Sequence, residues 1–250
     1  DPGATFMRMK EDHMKNGQLK PGYNVQISTN NQFVVNYSLH PNPTDTKTLI
    51  PHLEQYKNLY HTLPQVQVTD AGYGSEENYQ YLHKQGVEAY IKPTDFDRRQ
   101  KKNWQPNPFA TDQLEYDSHK DQYSCPAGKP MKRIGGYRKR EKGGFVKTYA
   151  LYQAKGCRNC PLKEACHNQK GNRIIKVNHK GHQLKDQAHE RLKTEKGIYY
   201  RKKRPADVEP VFGNIKNNKN FKRFLLKGID KAEIEWGLLC IAHNLSKIAA

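Results

Sequence analysis

Between residues 23 and 93 the spacing of apolar side chains switches between two and three-to-four, and the order of these switches leaves few folds open. Residues 23–29 (YNVQIST) and 32–39 (QFVVNYSL) alternate with period two on either side of Asn30-Asn31, which predicts a β-hairpin. Over residues 45–60, Leu49, Leu53, Tyr56 and Tyr60 fall at helical spacing behind Asp45 as cap, with Pro51 near the start. VQVTD (66–70) reads as a short strand ending in a carboxylate. A helix over 76–85 follows, opened by Ser75 and stopped by Gly86, and VEAYIKP (87–93) is a further strand. The order β-β-α-β-α-β predicts an α/β chain, a mixed sheet with flanking helices. Residues 1–21 read as an exposed lead-in, with turns at Asn16-Gly17 and Pro21-Gly22.

Beyond residue 94 the periodicity weakens, and Lys, Arg, Asn, Gln and Gly become frequent. Residues 94–197 therefore read as a basic, cysteine-bearing insertion that separates a first part of the core (1–93) from a last, helical part (198–250). In the last part, Ile234, Leu238, Ile241, Leu245 and Ile248 recur at steps of three and four, which predicts a helix laying that stripe on the sheet as core. Cys240 and His243 are expected there as a buried thiol and a structural histidine.

Charge is the next constraint. The formal net charge is +18, and residues 131–227 hold 27 of the 43 Lys and Arg but 7 of the 25 Asp and Glu. The rest of the chain is close to neutral. A surplus gathered in one segment is the footprint of a nucleic-acid groove. An anionic membrane is the competitor, but the segment has no basic amphipathic helix with a bulky apolar face. No run approaches the roughly 18 apolar residues of a membrane span.

Four cysteines lie in the basic segment. Cys157, Cys160 and Cys166 are spaced C-x2-C-x5-C, and Cys125 precedes them in SCPAGKP. That set allows a tetrahedral structural zinc site, and His167, His179 or His182 could stand in for one cysteine. The alternative is a set of free thiols; with no secretory signal, a disulfide framework is not expected.

Two carboxylates stand out. Asp70 ends a strand of an α/β sheet, where ligands collect, although it also suits a cap for the next turn. Glu209 lies in RPADVEPVF behind Arg201, Lys202, Lys203 and Arg204, with Lys216, Lys219, Lys222 and Arg223 after it. The local reading is a helix that starts there, Asp207 as cap and Pro210 in the first turn. An acid amid so many cations also suits a place where a divalent metal meets a phosphate backbone.

TDAGYGSEEN (69–78) and RPADVEPVFGNIKNNKNFKRFLLKG (204–228), with the opening DPGATFMRMK, the GYNVQIS strand and the terminal AHNLSKI, resemble the DDE transposases of bacterial insertion sequences. More narrowly, they resemble the branch with a cysteine-bearing insertion between its second and third acids. The resemblance implies an RNase H-like core that cuts and joins DNA with Mg²⁺ or Mn²⁺. It assigns Asp70 as second catalytic acid and Glu209 as third, both metal-holding, with Arg201, Arg204 and Lys216 on phosphates. The family's tyrosine–arginine–glutamate–lysine set maps onto Tyr200, Arg204, Glu209 and Lys216. Its arginine usually lies four residues before the glutamate, where this chain has Pro205; Arg204 is offset by one. The resemblance also implies a bacterial, cytoplasmic, nucleoid-associated protein acting on transposon ends and target DNA, with a homodimer on DNA.

The first acid is not found. The family places it in an aspartate-glycine-threonine motif on the first strand, and no such motif occurs here. Asp1 matches the lead-in aspartate of the family's DPxA stretch, not the catalytic one. The chain is thus expected to be the carboxyl-terminal part of a transposase. The rival expectations are an inactive zinc-bearing DNA-binding remnant and a general nuclease.

Overall fold

The computed structural model describes residues 1, 3–8 and 17–249. They fold into two compact units, one of Asp1–Thr94 with Gln187–Ala250 and one of Asp95–Asp186. The architecture is α/β, with several sheets and flanking helices.

In the first unit, β1 (Thr5–Arg8) pairs antiparallel with β2 (Leu19–Gly22), which places Pro21 opposite Phe6. The expected turn at Pro21-Gly22 is therefore strand, and the one at Asn16-Gly17 falls partly outside the described residues. β3 (Asn24–Asn30) and β4 (Phe33–His40) form the expected hairpin. Asn31 and Gln32 turn it with φ of 49° and 65°, the left-handed pair that matches strand twist. The helix expected from Asp45 splits in two. Asp45–Lys47 forms a 3₁₀ turn and α1 runs Leu49–Tyr60, burying Leu49, His52 and Leu53. Asp45 does not cap α1; its Oδ1 accepts from Asn24 Nδ2 at 2.9 Å and Gln26 Nε2 at 3.2 Å.

β5 (Val66–Thr69) and β6 (Glu88–Ile91) pair in parallel, joined through α2 (Glu76–Lys84). Ser75 Oγ accepts from Asn78 N at 3.1 Å, and Gly86 leaves the helix at φ 69°, as the capping chemistry predicts. Leu49, Leu53, Leu82, Val87 and Ile91 bury a shared core between these elements. Among the described residues the strands of this unit form separate pairs instead of the single mixed sheet expected: β1–β2, β3–β4 and β5–β6.

The second unit is built on an antiparallel sheet that the weak periodicity of residues 94–197 concealed. β7 (Tyr116–Asp117), β8 (Gln122–Ser124), β9 (Pro130–Arg140), β10 (Val146–Gln153) and β11 (Ile174–Val177) lie in the order 11-10-9-8-7. One face buries Tyr123, Met131, Tyr152, Ile175 and Val177. Asp121 accepts from Tyr152 at 2.6 Å, Tyr116 at 2.8 Å and Arg133 at 2.9 Å, tying β7, β9 and β10 to one carboxylate. Those bonds hold its pKa down to about 2. Short helices α3 (Phe96–Arg99) and α4 (Lys163–Cys166) complete the unit.

α5 (His179–Lys193) carries the chain back to the first unit. α6 (Glu195–Gly213) begins at Thr194, whose side chain accepts from Gly197 N at 3.1 Å. Gly197 is required there, because a Cβ would sit 2.2 Å from Arg191 O. α6 runs on into a π-helical turn, Asn214–Asn218.

α7 (Ile229–Ile248) closes the first unit, with its faces exchanged relative to expectation. Ala232, Trp236, Gly237, Cys240 and His243 are buried, while Ile234, Leu238, Ile241, Leu245 and Ile248 are exposed by 57–72%. The helix is apolar on more than one face, so spacing alone does not choose the buried one. Packing chooses it. Trp236 is surrounded by Phe212, Phe221 and Phe224, and Tyr37 closes so tightly on Gly237 that a Cβ would lie 2.3 Å from its hydroxyl. Cys240 and His243 are structural, as expected. Burial raises the Cys240 thiol to about 12, and His243 Nε2 meets Gln32 O at 2.8 Å.

Candidate active site and nucleic-acid surface

Asp70 follows β5 directly, and it caps as well as presents. Its side chain accepts from Ala71 N at 2.8 Å, opening the 3₁₀ turn Ala71–Tyr73. The carboxylate remains exposed, and its Oδ2 lies 3.6 Å from Arg204 Nη2 on α6. Tyr73 fixes the far side of this turn: its hydroxyl donates to Gln26 Oε1 on β3, and burial together with the Asp45 charge raises its pKa well above the usual tyrosine range.

Glu209 is not at a helix start. It stands exposed toward the end of α6, and Asp207 does not cap that helix. Asp207 Oδ1 instead accepts from Gln32 N at 2.7 Å. Both Pro205 and Pro210 lie inside α6. Pro210 removes the N–H that would reach Ala206 O, and Gln32 Nε2 occupies that carbonyl at 2.8 Å. The β3–β4 turn thus supports the helix where its own ladder is broken.

The remaining expected residues distribute along the same helix and the turn after it. Tyr200 packs on Tyr90 of β6, ring centroids 4.8 Å apart. Arg201 and Arg204 are half-buried, and Arg204 is the cation brought to Asp70. Lys216 lies on the π-helical turn, just past the buried Ile215. α6 lies against β5, β6 and β3, so it links the Asp70 turn to the hairpin. Asp70 reaches α6 through Arg204, not through Glu209. Among the described residues, no group of three or more His, Cys, Asp or Glu is set to hold a metal ion as it stands. Two hard carboxylates suit Mg²⁺ or Mn²⁺, which are held by few protein oxygens, but they supply only part of a coordination shell.

The β9–β10 hairpin is a basic surface that sequence reasoning did not single out. Lys132, Arg138, Arg140 and Lys142 are exposed on it and make no ion pair among the described residues. Lys139 and Lys147 instead meet Glu141 at 3.3 and 3.6 Å. The signal available was the density of cations between residues 132 and 147; the missing information was that they share one long hairpin.

The four zinc-candidate cysteines and His167 line one cavity in the second unit, with Arg173 beside them. All five cysteines of the chain are free thiols. His179 is used elsewhere: its Nε2 meets Tyr152 Oη at 2.7 Å and its ring packs on Tyr116.

The family model for the transposase DDE domain matches residues 124–249, half of the chain, which includes Glu209, Lys216 and the four cysteines but not Asp70. No curated protein and no solved structure matches the chain.

Proposed function

The chain belongs to the transposase DDE domain family, and on that premise we propose that it is the metal-dependent DNA strand-cleavage and strand-transfer domain of a bacterial insertion-sequence transposase. The observation that carries the reading is Asp70 at the end of β5, paired with Arg204 from the helix that bears Glu209. In this proposal Asp70 and Glu209 hold Mg²⁺ or Mn²⁺, and Arg201, Arg204 and Lys216 lie on DNA phosphates. The metal, when bound, activates the attacking oxygen and stabilises the leaving one. Arg204 places its guanidinium 3.6 Å from the Asp70 carboxylate, beside the position a metal-bound phosphate would take.

The reading of an RNase H-like core draws on the antiparallel β3–β4 hairpin, the parallel β5–β6 pair and the helix α6 that lies against β3, β5 and β6. β3 and β5 each have one edge unpaired among the described residues, and α6 lies against both. They are the flanks of one mixed sheet in this reading, and the family's first acid would belong on a strand between them. The substrate is DNA, transposon ends and target, handled as a homodimer in the bacterial cytoplasm; no helix of the described residues is long and apolar enough to cross a membrane.

A second reading, an inactive DNA-binding remnant, draws on the absence of a ready metal-holding group among the described residues. Strand nicking or joining of DNA carrying the element's ends, with Mg²⁺ or Mn²⁺, separates the two. Loss of both activities in Asp70→Ala and in Glu209→Ala is expected. Activity that survives both substitutions contradicts the assignment, and DNA binding without any cleavage supports the remnant.

A further inference from the structure

Two loops and a short helix of the second unit bring four thiols to one cavity, although they are spread over more than forty residues of chain. Cys125 directly follows β8, Cys157 and Cys160 lie in the loop after β10, and Cys166 ends α4. Cys157 is also part of the sheet's buried core and Cys125 packs against it, so the cavity is continuous with the hydrophobic centre of the unit.

The donors around these sulfurs are what a thiolate needs. Lys129 N donates to Cys125 Sγ at 3.3 Å, and Arg173 N donates to Cys157 Sγ at 3.5 Å. Arg173 Nη1 donates to Cys166 Sγ at 3.1 Å, from a side chain whose other arm, Nη2, donates to Phe109 O at 2.5 Å. Arg173 is only 7% exposed. Among the described residues this guanidinium has no ion pair with a carboxylate, and a buried cation left without counter-charge is costly. Sulfur that becomes negative would supply that counter-charge.

His167 lines the same cavity, and its Nε2 is buried without a hydrogen-bond partner. Its Nδ1 accepts from Gln169 N at 3.1 Å, so the neutral ring carries its proton on Nε2. That nitrogen is a donor awaiting an acceptor, not a lone pair awaiting a metal. His179 is engaged by Tyr152, and His182 does not line the cavity.

We infer that Cys125, Cys157, Cys160 and Cys166 form a four-thiolate site for Zn²⁺, with Arg173 as its buried counter-charge and His167 outside the ligand set. Binding exchanges four S–H bonds for four Zn–S bonds and releases four protons to solvent, leaving a centre of charge −2 that Arg173 partly offsets. Soft sulfur ligands in a closed tetrahedral set select Zn²⁺ over Mg²⁺ or Ca²⁺. The four thiols line one cavity, and among the described residues they do not already form a ready metal-holding group. The role is structural: the ion ties the β8–β9 turn to the stretch between β10 and β11. The assignment does not depend on the DNA chemistry proposed for Asp70 and Glu209.

The test uses the whole chain stripped of metal by a chelator, then titrated with Zn²⁺ alone and, separately, with Co²⁺ alone. One Zn²⁺ per chain is expected, with four thiols newly protected from alkylation. Co²⁺ is expected to show sulfur-to-metal charge transfer and the intense visible bands of a tetrahedral centre. His167→Ala should retain this spectrum and stoichiometry, and Arg173→Met should lower Zn²⁺ affinity about 10- to 100-fold at unchanged stoichiometry. Wild-type protein that binds no Zn²⁺, or a weak octahedral Co²⁺ spectrum, overturns the site without recourse to any variant. Loss of the tetrahedral spectrum in His167→Ala would return that histidine to the ligand set and overturn the four-thiolate assignment. Unchanged affinity in Arg173→Met would overturn the counter-charge role.

Discussion

His52 is held in the first unit between two hydroxyls, Ser28 Oγ at 2.8 Å from its Nε2 and Ser38 Oγ at 2.7 Å from its Nδ1. Burial, and then the neighbouring His40, push its pKa down to about 4. Above the ordinary value of 6.5 both folded and unfolded forms are neutral. Between 6.5 and about 4 the unfolded chain takes up a proton that the folded chain refuses, so stability falls as pH falls through that window and levels off below it. The full effect is on the order of 3 kcal/mol. Urea midpoints measured from about pH 7 to pH 4 should decline, and His52→Gln should flatten the decline; an equal slope in the variant contradicts the assignment. Gly237 makes a second prediction at this scale. Gly237→Ala forces the Tyr37 ring away from α7 and should cost about 1–3 kcal/mol, read as a shift of the urea midpoint. The place of Asp70 at a strand end was legible from sequence because a strand ending in a carboxylate before a Gly-containing turn has a local signature. The setting of Glu209 was not, because Pro205 and Pro210 argue against a helix interior. Gln32, far away in sequence, makes that interior tolerable by taking up the carbonyl Pro210 leaves free.

At the scale of elements, the β9–β10 hairpin and α7 make opposite points. The hairpin exposes Lys132, Arg138, Arg140 and Lys142 without ion pairs among the described residues, so these cations are available to a phosphate backbone. Replacing Arg138, Arg140 and Lys142 by Gln should weaken duplex DNA binding and make the log–log salt dependence shallower by about 0.9 for each phosphate no longer neutralised. Fluorescence anisotropy over a salt series reads both, and an unchanged slope removes the hairpin from the interface. The net charge of this stretch was visible in the sequence; its strands were not, because polar residues fill the exposed face and Gly135-Gly136 interrupts the alternation. α7 was visible as a helix, but its buried face was not. Ile234, Leu238, Ile241, Leu245 and Ile248 are the stronger apolar stripe, yet Trp236 and the small residues Ala232 and Gly237 let the opposite face approach β4. Trp236→Ala should destabilise the first unit by about 3–5 kcal/mol, whereas Leu238→Ala should change it little. Equal losses in thermal unfolding would place the core on the other face.

For the molecule as a whole, the strands of residues 23–93 and the surplus of cations could be read from sequence, and both point to an α/β protein that handles DNA. Membership of the transposase DDE domain family agrees with that reading. What remained hidden is non-local: which edges pair and which helix reaches Asp70. Arg204 is the clearest case, since its approach to Asp70 spans more than half of the chain. The central claim is that Asp70 and Glu209 share a divalent metal. Calorimetric titration of Mn²⁺ into the 250-residue chain, with duplex DNA present and Zn²⁺ pre-equilibrated, tests it most directly. Saturable Mn²⁺ binding is predicted, lost in both Asp70→Ala and Glu209→Ala while DNA binding persists. Binding that survives either substitution, or no Mn²⁺ binding by the wild-type chain with DNA, contradicts it.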